Sequence, residues 1–371
     1  MMETIRQTLA RLAADGNLRR LPADSVSAPL VDMSSNDYLG LAGDIELREK
    51  FLAGLRPDNL MMTSSASRLL SASQDPYKEL EERLAQLYGR EALLFNSGYH
   101  ANTGLVSALG GKDTLFVADK LVHASIIDGL VLSGSNFERY RHNDYEHLRR
   151  ILEKHASGYE RVVIVSESVF SMDGDSCDIA RLVEAKKLHH NVLLYVDEAH
   201  AVVVCGPQGL GLSVASGLAE EVDIIVGTFG KALASSGAFA VLSPELKEFM
   251  VNKARSLIFS TAIPPLCAQW SLATLEKSLG MDAERRHLRH LGKLLSEITR
   301  SGSDSHIQPL IVGDARAAVE LSQRLSADGF KVLPIRKPTV PAGTERLRFS
   351  LSASLTEASI GQLRDVMLKY S

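Results

Sequence analysis

Four short apolar runs, Thr114–Val117, Val162–Val165, Val192–Val196 and Ile224–Val226, recur through the middle of the chain, and most are rich in β-branched residues. Branching at Cβ suits a pleated strand, and an apolar run too short for a helix suits a strand covered on both faces. Between the second and third runs, Ile179–His189 has the apolar spacing of a crossover helix. Parallel neighbours need such a crossover, whereas antiparallel ones can be joined by a tight turn. The alternation therefore predicts an α/β chain with a largely parallel sheet.

The flanking segments extend this pattern. Glu79–Tyr88 carries Leu80, Leu84 and Leu87 at helical spacing, Gly89 can stop that helix, and Ala92–Phe95 comes next as a strand. Ala238–Leu242 and Arg255–Phe259 either extend the sheet or flank it. Upstream, Thr4–Ala14 suits a short amphipathic helix, and Pro22 and Pro29 interrupt the stretch after it. Leu30–Leu41 is briefly extended before the polar cluster Ser34–Asp37. Helical patterns over Ala268–Leu275 and Glu284–Ile298 lead to the loop Ser301–Ser305. Ile307–Val312, a helix over Ala315–Ala327, Lys331–Leu333, Leu347–Leu351 and a last helix from Glu357 to about Met367 can close a smaller α/β domain. A chain of 371 residues suits such a division. The expected boundaries are an N-terminal segment over 1–40, a large domain over 41–275 and a small C-terminal domain over 276–371.

Charge and cysteine usage exclude several classes. Forty-one basic against 45 acidic side chains, a formal charge of −4, give no electrostatic reason to expect nucleic acid or an anionic membrane as a partner. No long, nearly charge-free run offers a membrane span, and Glu3, Arg6, Arg11 and Asp15 interrupt any signal-peptide core. A cytoplasmic protein is the expectation. Cys177, Cys205 and Cys267 are odd in number and widely spaced, which fits buried small side chains better than disulfides or a metal site. Met61–Met62 reads as core or channel lining.

The chemistry sits at strand ends. Tyr195–Val196–Asp197–Glu198–Ala199–His200 emerges from a very apolar run, and the carboxyl ends of strands are where open α/β sheets bind ligands. Thirty-four residues beyond Asp197, Ile224–Ile225–Val226 ends in Gly227–Thr228–Phe229–Gly230–Lys231. The pairing suggests a division of labour: Lys231 forms an imine with an aldehyde, while Asp197 keeps a ring nitrogen protonated so that the ring withdraws electrons. Asn96–Ser97–Gly98–Tyr99–His100 joins a strand to a helix-compatible run, and small residues there let backbone N–H groups approach a phosphate.

These stretches together resemble the α-oxoamine synthases, a family of fold-type I pyridoxal phosphate enzymes. The resemblance runs through Ser35–Gly40, Ser67–Leu70, Asn96–Tyr99, His123–Ser125, Ser171–Asp175, Asp197–His200, Thr228–Lys231, Ser260–Thr261 and Arg346–Arg348, nearly the whole chain. It implies a large domain with a mostly parallel sheet, a smaller C-terminal α/β domain, and a homodimer with shared active sites. Lys231 would carry the cofactor as a Schiff base, Asp197 would pair with the pyridine nitrogen, and His123 would stack on the ring. His200 and Ser171 would approach the phenolic oxygen. Ser97, Gly98, Tyr99 and Thr228 would seat the cofactor and its phosphate, and Ser260 and Thr261 would reach the neighbouring subunit's phosphate. Asn36 and Arg348 would hold the amino acid's carboxylate, with Arg346 a competitor.

The resemblance implies condensation of an amino acid with an acyl thioester on coenzyme A or an acyl-carrier protein, and loss of carbon dioxide. L-Alanine and a pimeloyl chain are the expected pair. Members that take glycine or serine with acetyl, succinyl or palmitoyl donors share the lysine and aspartate, and a non-catalytic cofactor-binding protein is the alternative of another class. Departures from the pattern fall at Met62–Ala66, at Tyr77 where a histidine is common, at Ala201–Gly206 and at Ala234–Ser235.

Overall fold

The computed structural model describes residues 2–19, 21, 30–71 and 74–370, so Pro22 and Pro29 lie outside the described residues. The chain groups into two compact units: Leu39–Phe170 with Ser176–Arg285, and Met1–Tyr38 with Ser171–Asp175 and Arg286–Ser371.

The first unit is built on seven strands: β1 (Glu91–Phe95), β2 (Thr114–Asp119), β3 (Asn136–Tyr140), β4 (Arg161–Glu167), β5 (Val192–Asp197), β6 (Ile224–Thr228) and β7 (Ala238–Leu242). Their order is β1-β7-β6-β5-β4-β2-β3. β7 is antiparallel to both neighbours, and the other pairs are parallel. Ala238–Leu242 thus extends the sheet. Arg255–Phe259 does not: Arg255–Ile258 is a helical turn, because Ala254 and Leu257, three apart, are buried together in the core. β3 is an edge strand with only Tyr140 buried, so no apolar run announces it.

Helix α1 (Gly98–Leu109) follows β1, and α2 (Ala124–Ser133) follows β2. Leu105 and Val106 of α1 and Ile126 and Leu130 of α2 join Phe116, Val163, Val165, Tyr195 and Val226 in one core cluster. Full burial of each large side chain stabilises the fold by about 1.5–3 kcal/mol before the ordering cost. This packing fixes both helix N-termini at the carboxyl edge of the sheet.

In the second unit, Arg346–Ser350 is the central strand of an antiparallel sheet between Leu333–Ile335 and Ile307–Ile311. The expected single strand Lys331–Leu333 is divided. Phe330–Lys331 pairs in parallel with Val31–Asp32, and Leu333 begins the antiparallel strand.

Two other expectations are corrected. Cys177 is buried, but Cys205 and Cys267 are only half-buried, and none of the three is in a disulfide. Met61 and Met62 are 39% and 65% exposed, which removes the core half of the expectation of core or channel lining. Among the described residues no helix is long and apolar enough to cross a membrane, and no cluster of His, Cys, Asp or Glu could hold a metal.

Candidate active site

Parallel strands deliver their carboxyl ends to one edge, and in the first unit that edge gathers Asp119, Glu167, Asp197 and Thr228. Asp197 is 5% exposed. Its Oδ2 accepts from Asn102 Nδ2 at 2.7 Å and its Oδ1 from the Ala199 N–H at 2.9 Å. A buried carboxylate is tolerated when charge-assisted hydrogen bonds satisfy it. The turn after Asp197 brings His200, also buried, to Lys231: Nε2 and Nζ lie 2.8 Å apart.

His123 heads α2 and is open to solvent on one side, so it is a capping residue and not a packed core histidine. Its Nδ1 lies 3.2 Å from the Ser125 backbone N and 2.8 Å from Ser125 Oγ. A backbone N–H only donates, so Nδ1 accepts and the ring proton belongs on Nε2. Desolvation lowers the His123 pKa; Asp197 opposes that shift and Lys231 reinforces it. Both facts describe a neutral imidazole.

Ser97 caps α1, accepting from the His100 N–H at 3.2 Å. Gly98 opens the helix, and a Cβ there would approach Thr228 Cβ at 3.8 Å. Its absence leaves space between a helix N-terminus and the Thr228 hydroxyl, which donates to Gly237 O at 3.1 Å. Tyr99 is 46% exposed and its hydroxyl donates to Asp128. Ser260 and Thr261 lie on a loop beside this turn, where Asn96 Nδ2 donates to Thr261 O at 2.5 Å.

These groups fit pyridoxal phosphate. There is a primary amine at Lys231, a buried and doubly held carboxylate at Asp197, and a helix N-terminus opened by Gly98 for the phosphate.

Ser171, Asn36 and Arg348 belong to the second unit, where they form a set of their own. Arg348 is buried; its Nε donates to Ser171 O at 2.6 Å and its Nη1 to Asn36 Oδ1 at 3.2 Å. Tyr38 Oη donates to the same Oδ1 at 3.0 Å, which turns the Asn36 amide so that Nδ2 can donate elsewhere. Among the described residues Arg348 forms no ion pair. Arg346, also buried, is committed to Asp173 at 2.5 Å and to Met172 O at 3.3 Å. Arg346 thus has an acidic partner where the bonds named for Arg348 go to neutral acceptors.

The departures have local explanations. Tyr77 is buried, its hydroxyl donates to Ile263 O at 2.6 Å, and Arg68 lies 4.5 Å over its ring while pairing with Glu81. Val203, within Ala201–Gly206, adopts φ 73°, a strained value for a β-branched residue. Glu198 is buried and accepts from the N–H groups of Leu212 and Ser213 at 2.6 and 2.8 Å, so it anchors a loop.

Sequence reading missed Glu167, Asn102, Ser125 and Tyr195. Glu167 is a buried carboxyl that accepts from the His123 backbone N–H. It carried the signal that exposed Asp197, an acid ending a β-branched run. Asn102 lies mid-helix and gave no such signal.

Residues 28–367 match the aminotransferase class I and II family. The chain belongs to that family, and its seven-stranded sheet has the family's fold-type I architecture. The chain is 46% identical to 8-amino-7-oxononanoate synthase of Haemophilus ducreyi, over 98% of its own length and 99% of that protein's. It is similar to serine palmitoyltransferase from S. paucimobilis, solved with a bound PLP–myriocin adduct, with a TM-score of 0.90 and 27% identity over 99% of this chain and 96% of that one. It is also similar to 8-amino-7-oxononanoate synthase from Francisella tularensis, with a TM-score of 0.78 and 27% identity over 92% of this chain and 97% of that one.

Proposed function

We propose that this chain uses pyridoxal phosphate to condense L-alanine with a pimeloyl thioester, on coenzyme A or an acyl-carrier protein. The products are 8-amino-7-oxononanoate, carbon dioxide and the free thiol, in biotin formation. The observation that carries the cofactor chemistry of this reading is the 2.8 Å contact between Lys231 and His200, a histidine three residues beyond the buried Asp197.

The cofactor supplies an electron-withdrawing ring that stabilises negative charge at the amino acid's α-carbon. Lys231 Nζ would be its point of attachment and, as a free amine, would serve as the base for the α-proton. His200 orients Nζ and shares its proton. Asp197, its oxygens fixed by Asn102 and Ala199, would hold a proton on the ring nitrogen. His123 offers the ring a neutral imidazole face, and Ser97, Gly98, Tyr99 and Thr228 seat the phosphate end. Arg348 and Asn36 bind the amino acid's carboxylate, for which a guanidinium fork is suited. Ser171 fixes that fork through its carbonyl. Ser260 and Thr261 are assigned to the phosphate of a second subunit in a homodimer, and the cytoplasm is the setting.

Serine with a palmitoyl thioester is the second reading, favoured by the TM-score of 0.90 to serine palmitoyltransferase. Identity of 46% to the H. ducreyi enzyme against 27% to that transferase favours alanine and pimeloyl. The test crosses glycine, L-alanine and L-serine with acetyl, succinyl, pimeloyl and palmitoyl thioesters, and identifies products by mass. Alanine with pimeloyl is expected to be turned over fastest. Preference for glycine, or for serine with palmitoyl, overturns the substrate assignment.

A further inference from the structure

Alternate residues of a strand share a face, so Tyr195 and Asp197 of β5 both meet α1, and both reach one side chain there, Asn102. Tyr195 Oη donates to Asn102 Oδ1 at 2.6 Å. That bond fixes which way the amide points. Its two N–H groups then donate to Asp197 Oδ2 at 2.7 Å and to Ser125 Oγ at 2.9 Å. Ser125 Oγ, with one lone pair taken by Asn102, turns its proton to His123 Nδ1 at 2.8 Å. Tyr195 and Ser125 are wholly buried and Asn102 is 2% exposed, so water does not compete for these bonds.

We infer that Asn102 is a positioning residue that sets two features of the cofactor site at once: the orientation of the Asp197 carboxylate and, through Ser125 Oγ, the side-chain hydrogen bond to His123 Nδ1 that holds the imidazole ring in place. The inference rests on the cofactor reading above and extends it to a residue that touches neither cofactor nor substrate. An asparagine is required because the position needs one acceptor and two donors in a plane. Aspartate has the same shape but carries at most one proton, so it cannot serve Asp197 and Ser125 together. Placed against Asp197 it also raises that carboxylate's affinity for a proton, which weakens its hold on the ring nitrogen.

The test uses the full chain with and without pyridoxal phosphate, in wild-type, Asn102→Asp, Ser125→Ala and Tyr195→Phe forms. Three quantities are read: the pH midpoint of the visible band of the cofactor-loaded protein, the cofactor Kd, and the ¹⁵N shifts of the His123 ring, assigned with His123→Gln. Asn102→Asp is expected to raise the band's midpoint by about one pH unit and to weaken cofactor binding about tenfold. It should also shift the ¹⁵N resonances of the His123 ring, because Ser125 Oγ loses the donor that orients it. Ser125→Ala should disturb the His123 shifts and leave the midpoint in place, a split that a general loosening of the core would not produce. Tyr195→Phe, which keeps both donors, should move all three quantities the same way by less, and it carries the test if Asn102→Asp does not fold. A folded Asn102→Asp or Tyr195→Phe protein with wild-type midpoint, Kd and ring shifts overturns the inference. A wild-type protein that never develops the band overturns the cofactor reading instead, and the His123 shifts of the cofactor-free chain still decide the relay.

Discussion

Glu167 and Asp197 end adjacent parallel strands as register partners, so two buried carboxyl groups stand side by side at the edge where the lysine emerges. Burial raises the Glu167 pKa well above the ordinary 4.5, and the Asp197 carboxylate adds to the shift. A negative charge beside a buried carboxyl group disfavours its ionisation. Glu167 is the group that keeps its proton, and its Oε1 still accepts from the His123 N–H.

The arrangement predicts a pH dependence. Above pH 4.5 the unfolded chain gives up the Glu167 proton while the folded chain retains it, so folding is linked to proton uptake. The Glu167 contribution to stability is complete below that value and is lost as pH rises toward the raised folded pKa. Glu167→Gln keeps the shape and the acceptor but has no proton to lose. Melting temperatures of the two proteins should therefore converge at low pH, and the variant should gain on the wild type as pH rises. Parallel curves would refute the assignment. His123 acts in the opposite sense: its lowered pKa gives a contribution present above 6.5 and lost as pH falls.

Lys231→Ala should bind pyridoxal phosphate without a borohydride-stable link, and peptide mass should locate the wild-type link at residue 231. Loss of the attachment point and of the base together should reduce turnover by at least about a thousandfold. Lys231 is only half-buried, so the melting temperature should hardly change. Turnover within tenfold of wild type would remove Lys231 from the mechanism.

Arg346 and Arg348 should separate in their kinetics. Arg348→Lys replaces a planar fork by a point charge and should raise KM for the amino acid about tenfold or more, with KM for the thioester little changed. Arg346→Lys disturbs the half-buried pair with Asp173 and should lower the melting temperature with a smaller change in KM. Steady-state kinetics and thermal unfolding of both variants check the contrast. A reversed pattern would transfer the carboxylate to Arg346.

The strand ends of the candidate site were legible because β-branched runs are hard to read as anything but covered strands, and because a carboxylate and a lysine leaving two such runs stand out from solvated surface charge. The edge strand β3 was not legible: four of its five residues face solvent and its apolar period is absent. Arg255–Phe259 stayed open between extending the sheet and flanking it because so short a run fits a strand as well as a helical turn, and only the burial of Ala254 and Leu257 decides. Asn102 was hidden for a different reason. A polar residue inside a helix has many bland explanations, and its meaning comes from Asp197, Ser125 and Tyr195, which are distant from it in sequence.

Gly174 offers a separation of strain from contact. It has φ +70°, and a Cβ there would fall 1.8 Å from Ile307 O, a backbone atom that cannot turn aside. Gly343 has a similar φ of +79° with nothing within 4 Å of its hypothetical Cβ. Gly343→Ala should thus cost only the left-handed backbone strain, about 1 kcal/mol. Gly174→Ala adds a collision and should destabilise the protein by clearly more, about 3 kcal/mol. The collision should also displace the segment Ser171–Asp175. Ser171 O would then no longer fix Arg348 Nε, nor Asp173 hold Arg346. Gly174→Ala should therefore raise KM for the amino acid at a temperature where the variant is still folded, while Gly343→Ala should leave KM unchanged. Equal melting temperatures for the two variants would show that the contact with Ile307 relaxes freely. An unchanged KM in Gly174→Ala would show that Arg348 does not depend on Ser171 for its orientation.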